Sequence, residues 1–249
     1  MKNFKEKLAT ISFFTKFAIS GMLVAVPKLH KYEKLAKEGK IDNLAAKASE
    51  VARKWSDYCL GVAKAKITVK GLEKIPQDEP VLFVSNHQSY ADIPVLISAL
   101  RNTDFGFVIK DTMAALPLIN HFVEPLRCTP ITTTDIRQSV SAINKAAENI
   151  RDGHSMIIFP EGRREFTNMP RVFKNGAFKI VQKTGVTVVP IYLHNVHLIF
   201  EGNGKRLGSP DITVTILDPI KTAEMSRADI KILNDKVRDI ICDCAKTFE

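Results

Sequence analysis

Residues 81–96 read VLFVSNHQSYADIPVL. Four apolar residues run without a break, a polar segment carrying one histidine follows, and a second apolar run begins at Ile93. A continuously apolar run of strand length fits a strand covered on both faces. The second run, ADIPVLISALR (91–101), fits a short helix. The unit is therefore strand, polar turn, helix. In a parallel sheet such a turn lies beyond a carboxyl end, where α/β proteins bind their ligands.

The same unit recurs. Further β-rich runs are KITVKG (66–71), FGFVIK (105–110), SMIIFP (155–160), VTVVPIYL (186–193) and ITVTIL (212–217). Helical patterns fall at 135–153, opening at Asp135 and ending at Gly153, at 171–185, and at 225–248. The alternation predicts an α/β domain over 64–249, a mixed, mostly parallel sheet flanked by helices on both sides. Pro190 inside a strand predicts an edge, a bulge or a functional break.

Residues 1–63 differ. LATISFFTKFAISGMLVAV (8–26) predicts an apolar helix of about 28 Å, close to the ~30 Å of bilayer hydrocarbon, with Pro27 as its stop. A second helix is predicted over 29–63, where Leu35, Leu44, Ala48, Val51, Ala52, Trp55 and Cys59 recur at threes and fours. The two form a membrane-associating helical hairpin. Residues 1–40 hold nine lysines, Lys2, Lys5 and Lys16 among them, and three glutamates. A signal peptide would offer a small-residue cleavage site, and SGMLVAVPK is a poor one. A helix lying in the membrane surface, its lysines on anionic headgroups, fits better. Lys16 would cost about 2.5–3.5 kcal/mol at the centre of a spanning helix. A spanning helix and an ordinary core helix are the alternatives.

Composition is that of a globular protein, 45% apolar and 25% charged, with a net charge of +9. The excess implies an anionic partner. Much of it lies beside the apolar helix, which favours lipid over nucleic acid. The four cysteines make no CxxC pair or Cys/His array, which argues against a zinc finger and for a reducing, cytosolic setting.

His87 stands five residues before Asp92. With six histidines and 14 aspartates in 249 residues, that spacing alone is weak. Its position at a strand end is what strengthens it. An aspartate one helical turn on can hold Nδ1–H and leave Nε2 as a base. A helix cap by Asn86 or His87, with Asp92 in solvent, explains the letters equally well. MIIFPEGRRE (156–165) is a second apolar strand that runs into a polar turn: Pro160 stops the ladder, Gly162 permits a tight turn, and Arg163 and Arg164 offer forks suited to phosphate. Lys174 and Gly176 follow at a helix start. His194 and His197 form an HxxH with no carboxylate placed nearby, a poor metal set. No GxSxG elbow, phosphate-binding GxxxxGK[ST] loop or GxGxxG occurs.

Together and in this order, these segments resemble the glycerolipid acyltransferase family, best known from 1-acylglycerol-3-phosphate acyltransferases. NHQSYAD (86–92) looks like its N-H-x4-D motif and FPEGRR (159–164) like its F-P-E-G-T-R motif. Val189-Pro190-Ile191 looks like its valine–proline strand, and Lys174 with Gly176-Ala177 like its F-K-x-G-A segment. The resemblance implies transfer of a fatty acyl group from a thioester, acyl-CoA or acyl-carrier protein, to the sn-2 hydroxyl of 1-acylglycerol 3-phosphate. The product is phosphatidic acid for phospholipid synthesis. Other acceptors (glycerol 3-phosphate, another lysophospholipid, an amino-acid lipid) are the alternative, and a non-enzymatic basic membrane-surface protein is a further one. The resemblance implies His87 as base and Asp92 as its orienting charge. It implies Glu161 holding the acceptor, with Gly162, Arg163, Arg164 and Lys174 in the substrate site. No metal or organic cofactor is expected. Backbone N–H groups of the 87–92 turn are candidate oxyanion donors. The cytoplasmic face of the cell membrane is the expected location.

Two departures stand out. Arg163 and Glu165 replace the family's Thr and Ser. The arginine of the second motif is missing from VEPLRCTPITTTDIRQS (123–139), where Arg127 and Arg137 flank the gap. Arg127, Arg137 or Arg163 is then the candidate for the acceptor phosphate.

Overall fold

The computed structural model describes residues 2–101 and 103–248, with side chains from Lys7 onward, so the side chains of Lys2 and Lys5 lie outside the described residues. Three helices open the chain: α1 (Lys2–Ser20), α2 (Val26–Lys37) and α3 (Leu44–Ala63). Pro27 does not stop the first helix. A π-helical turn, Gly21–Ala25, joins α1 to α2, and the Val26 N–H donates to the Gly21 carbonyl. The wider turn absorbs the proline's missing donor and its crowding of the preceding turn. The chain breaks later, at Gly39 (φ +66°), and α3 restarts where the Asn43 side chain accepts the Ala46 N–H at 2.9 Å. The helix expected over 29–63 is therefore split: residues 29–37 belong to α2, and α3 begins at Leu44.

The domain follows as β1 (Lys66–Lys70), β2 (Val81–Ser85), α4 (Asp92–Ala99), β3 (Phe105–Lys110), α5 (Asp111–Ala114), α6 (Pro117–Val123), β4 (Thr129–Ile131), α7 (Ile136–Arg151), β5 (Ser155–Ile158), α8 (Lys179–Thr184), β6 (Thr187–His194), β7 (Asp211–Ile216), α9 (Arg227–Lys231) and α10 (Leu233–Lys246). The seven strands form one mixed sheet, ordered β1-β7-β6-β2-β5-β3-β4, parallel except between β6 and β7. β2, β5, β3, β4 and β6 thus all end on one edge, and the polar turns after β2 and β5 meet there because these strands pair.

Both faces of the sheet are covered, as the unbroken apolar runs require. Phe83, Phe107, Ile157 and Val189 pack with α3 and α4, while Leu82, Val84, Met156 and Ile158 pack with α7, α8 and α10. Successive residues of one strand serve opposite layers. A third cluster, Ala25, Leu29, Ala48, Val51, Ala52, Phe122 and Leu126, ties α2 and α3 to α6.

Pro190 is buried in a central strand, not at an edge. Its carbonyl accepts the Leu217 N–H at 2.9 Å, just past the end of β7, and pairing resumes at Val188 with Ile220. The residues between step out of the ladder beside the proline, so no partner is left facing its absent N–H. β4 is the element hardest to anticipate: three residues at the sheet edge, with Pro130 exposed.

Candidate active site

The turn after β2 is built around one carboxylate. Asp92, the first residue of α4, is fully buried, and its Oδ2 accepts from three donors: His87 Nδ1 at 2.6 Å, Gln88 N at 2.7 Å and Ser89 N at 3.0 Å. A carboxylate only accepts, so Nδ1 carries the proton and the neutral ring's Nε2 is the basic atom. The imidazole stacks on Phe159, centroids 4.2 Å apart and planes 18° apart. No side chain caps α4; its N-cap is Ala91. Asn86 instead bonds the Leu193 backbone in both directions, fastening the turn to β6.

Glu161 follows β5 and is buried. Its two oxygens accept His87 N at 2.8 Å and Arg171 N at 3.1 Å. This corrects the expected role. The carboxylate is spent on backbone, brackets the two turns together and does not line the groove. Burial pushes its carboxyl up to about 7 from 4.5, against the pull of the His87 N–H. The folded state then holds this proton more tightly than the unfolded chain. Its stabilising contribution is present below about pH 4.5 and lost as pH rises through about 7. The expected result is that the melting temperature of the parent falls relative to that of Glu161→Gln from about pH 5 to about pH 8. A parent that gains on the variant over that range would refute the assignment.

The amides of the 87–92 turn are all engaged. His87 N goes to Glu161, Gln88 N and Ser89 N to Asp92, Tyr90 N to Glu201, Ala91 N to Ser89 Oγ, and Asp92 N to the Ser89 carbonyl. None is left for an oxyanion, contrary to expectation.

His87 opens onto a groove of about 1100 Å³. Gly162, Arg163, Arg164 and Lys174 line it, as do Lys110, Lys179, Lys183 and Arg227, which sequence reading did not single out. No Asp or Glu is among its lining residues. Gly162 needs its φ of +69°, and a Cβ there would stand 2.8 Å from Lys174 Nζ, so glycine lets the ammonium lie against the turn. The two departures at 163 and 165 answer each other: Arg163 Nε lies 2.8 Å from Glu165 Oε1, which also holds Arg171 at 2.9 Å.

Arg127 does not come to the groove. It precedes β4, at the opposite sheet edge, exposed and with φ +52°, and its carbonyl accepts Asn149 Nδ2. Arg137 does not line the groove either. Thr132 and Thr133 stand where an arginine is expected after β4, and Thr133 lines the groove. Lys110, in register with Ile131 on the neighbouring strand, supplies the cation on that side. His194 and His197 have separate partners, the Tyr192 hydroxyl and Gln88 Oε1.

A histidine held by a buried aspartate, beyond the ends of parallel strands and open to a cation-lined groove, defines an α/β protein equipped to take a proton from an anionic ligand. The chain belongs to the acyltransferase family, whose description as Acyltransferase it matches over residues 66–194, just over half its length. It is 35% identical over 167 residues to a chloroplastic 1-acyl-sn-glycerol-3-phosphate acyltransferase of Arabidopsis thaliana, covering 66% of this chain and 46% of that one. It is 28% identical over 190 residues to the 1-acyl-sn-glycerol-3-phosphate acyltransferase of Borreliella burgdorferi, covering 76% of each. The chain spans about half the length of its chloroplast relatives from Arabidopsis thaliana and Brassica napus. The crystal structure of the 1-acyl-sn-glycerophosphate (LPA) acyltransferase PlsC from Thermotoga maritima shares the fold, with a TM-score of 0.82, 22% identity, and 100% and 99% of the two chains covered.

Proposed function

We propose that the protein acylates the sn-2 hydroxyl of 1-acylglycerol 3-phosphate, using a fatty acyl thioester of coenzyme A or of acyl-carrier protein, to give phosphatidic acid. The single observation that carries this is the His87–Asp92 pair opening onto a groove lined by lysines, arginines and apolar side chains, with no Asp or Glu among its lining. His87 Nε2 takes the hydroxyl proton as the oxygen attacks the thioester carbonyl. The carbon–sulfur bond then breaks, and the leaving thiolate takes the proton back from the imidazolium. Asp92 stabilises that imidazolium from a site with no solvent to screen it. Holding both substrates in one groove supplies much of the remaining rate.

Arg164 and Lys110 receive the acceptor phosphate, and Lys174, against the Gly162 turn, lines the same groove. Lys179, Lys183 and Arg227 have no ion-pair partner among the described residues and face the phosphorylated arm common to both donors. Ile131, Ile136, Val140, Ile143 and Phe166 line an apolar path for an acyl chain. Of the N-terminal helix, Phe17 packs on Trp55, while Leu8, Ile11, Ile19, Leu23 and Val24 are exposed. Lys7–Lys37 is long and apolar enough to span a bilayer. One face committed to the protein and one left bare favours a helix lying in the cytoplasmic membrane surface.

Arg164→Ala is expected to raise the acceptor KM about tenfold or more, the value of a charge-assisted phosphate contact. Arg163→Ala, which loses a cation already paired with Glu165, is expected to change it less. Initial rates against lysophosphatidate test this, and the reverse order would move the phosphate site.

A further inference from the structure

Glu201 lies in the loop between β6 and β7, 37 residues beyond Arg164 and 111 beyond Tyr90. Its side chain is 7% exposed, and its carboxylate gathers three donors. Oε1 accepts Arg164 Nη1 at 3.0 Å and Tyr90 N at 3.0 Å, and Oε2 accepts the Ser89 hydroxyl. Arg164 is held from a second side, its Cζ 3.4 Å from the centre of the Tyr90 ring. Only Nη1 is engaged by the protein, so Nε and Nη2 have no partner among the described residues, and Arg164 lines the groove.

An arginine side chain has many rotamers, and fixing it beforehand removes an entropic cost from ligand binding. A buried carboxylate on one side and an aromatic face on the other do that here. The loop that carries Glu201 is itself braced. Phe200 meets Phe14 of α1 edge to face at 5.0 Å, and the Leu207 N–H donates to Thr10 Oγ1 at 2.9 Å.

We infer that Glu201 is a positioning residue for the acceptor, presenting the free edge of the Arg164 guanidinium to the acceptor's phosphate. This rests on the reading of Arg164 as the phosphate ligand. Glu201 acts through Arg164 and does not touch the substrate.

The test is steady-state kinetics with lysophosphatidate as varied acceptor, then with acyl-CoA as varied donor, on Glu201→Ala, Arg164→Ala and the double variant. Glu201→Ala is expected to raise the acceptor KM at least fivefold and leave the donor KM within twofold. Because one residue works through the other, the double variant is expected to match Arg164→Ala in acceptor KM. A merely structural glutamate would move donor and acceptor KM together, or neither. An acceptor KM within twofold of the parent in Glu201→Ala overturns the inference, as does multiplication of the two effects in the double variant. If Arg164→Ala itself leaves the acceptor KM unchanged, the phosphate reading fails first and takes this inference with it. Should Glu201→Ala not fold, Glu201→Gln carries the test, because its amide oxygen still accepts from Tyr90 while the charge is gone. Its acceptor KM is expected between those of the parent and Arg164→Ala, and a parental value overturns the inference.

Discussion

Replacing His87 by alanine is expected to lower kcat by about three orders of magnitude, near the middle of the range for a lost general base. The fold should survive. The side chain is 19% exposed, and its loss uncovers one face of Phe159 and removes one of the three donors to Asp92. Gln88 N and Ser89 N still hold that carboxylate, and the His87 backbone amide still reaches Glu161. The structural cost should stay within about 2 kcal/mol. Thiol release gives kcat, and thermal unfolding separates lost chemistry from lost structure. Activity within tenfold of the parent would remove His87 from the base's role.

Asp92→Asn is expected to be the next most severe, with kcat down by roughly 10²–10³-fold. This substitution isolates charge from shape. Oδ2 takes all three hydrogen bonds, whereas Oδ1 is buried with no partner. An asparagine can keep its oxygen at the Oδ2 position and place its amide nitrogen where nothing accepts from it. The turn and the imidazole orientation then persist, at the cost of one unsatisfied buried donor, about 1–3 kcal/mol. What disappears is the negative charge that stabilises the imidazolium. The acceptor KM should hardly move, since Asp92 does not line the groove. A variant within threefold of the parent in kcat would show that orientation alone suffices.

The sheet was legible because strands covered on both faces are apolar throughout, and a few such residues between turn signals have few other readings. VLFV and MIIF carry the fold for that reason. β4 and the short helices α5 and α6 were not legible: three strand residues around Pro130 have no periodicity to detect. Pro27 misled because helix-stop chemistry is local, whereas a π turn that absorbs a proline depends on the helix packing around it. Pro190 pointed to an edge, a bulge or a break, and the bulge is the outcome, because which of them forms depends on where β7 ends.

The site divides along the same line. The hydrogen bond between His87 and Asp92 was legible because both belong to one turn and their spacing is set by it. Glu161 was legible as a residue but not in its role, because the role depends on which backbone amides face it after two turns meet. Glu201 carried no local signal at all. Its partners are brought to it only by the pairing of β2 with β5 and β6. The cations of α8 and α9 carry no local signal either, since only the folded chain brings Lys179, Lys183 and Arg227 to the lining of one groove.

The decisive measurement follows both products of one reaction. Purified protein is given lysophosphatidate and a labelled acyl thioester, on coenzyme A and on carrier protein in parallel. Phosphatidate formed in equal amount with free thiol from at least one donor, at a rate that collapses in His87→Ala, is the expected result. Thiol release without phosphatidate, or phosphatidate formed by His87→Ala at the parental rate, would contradict acyl transfer through His87.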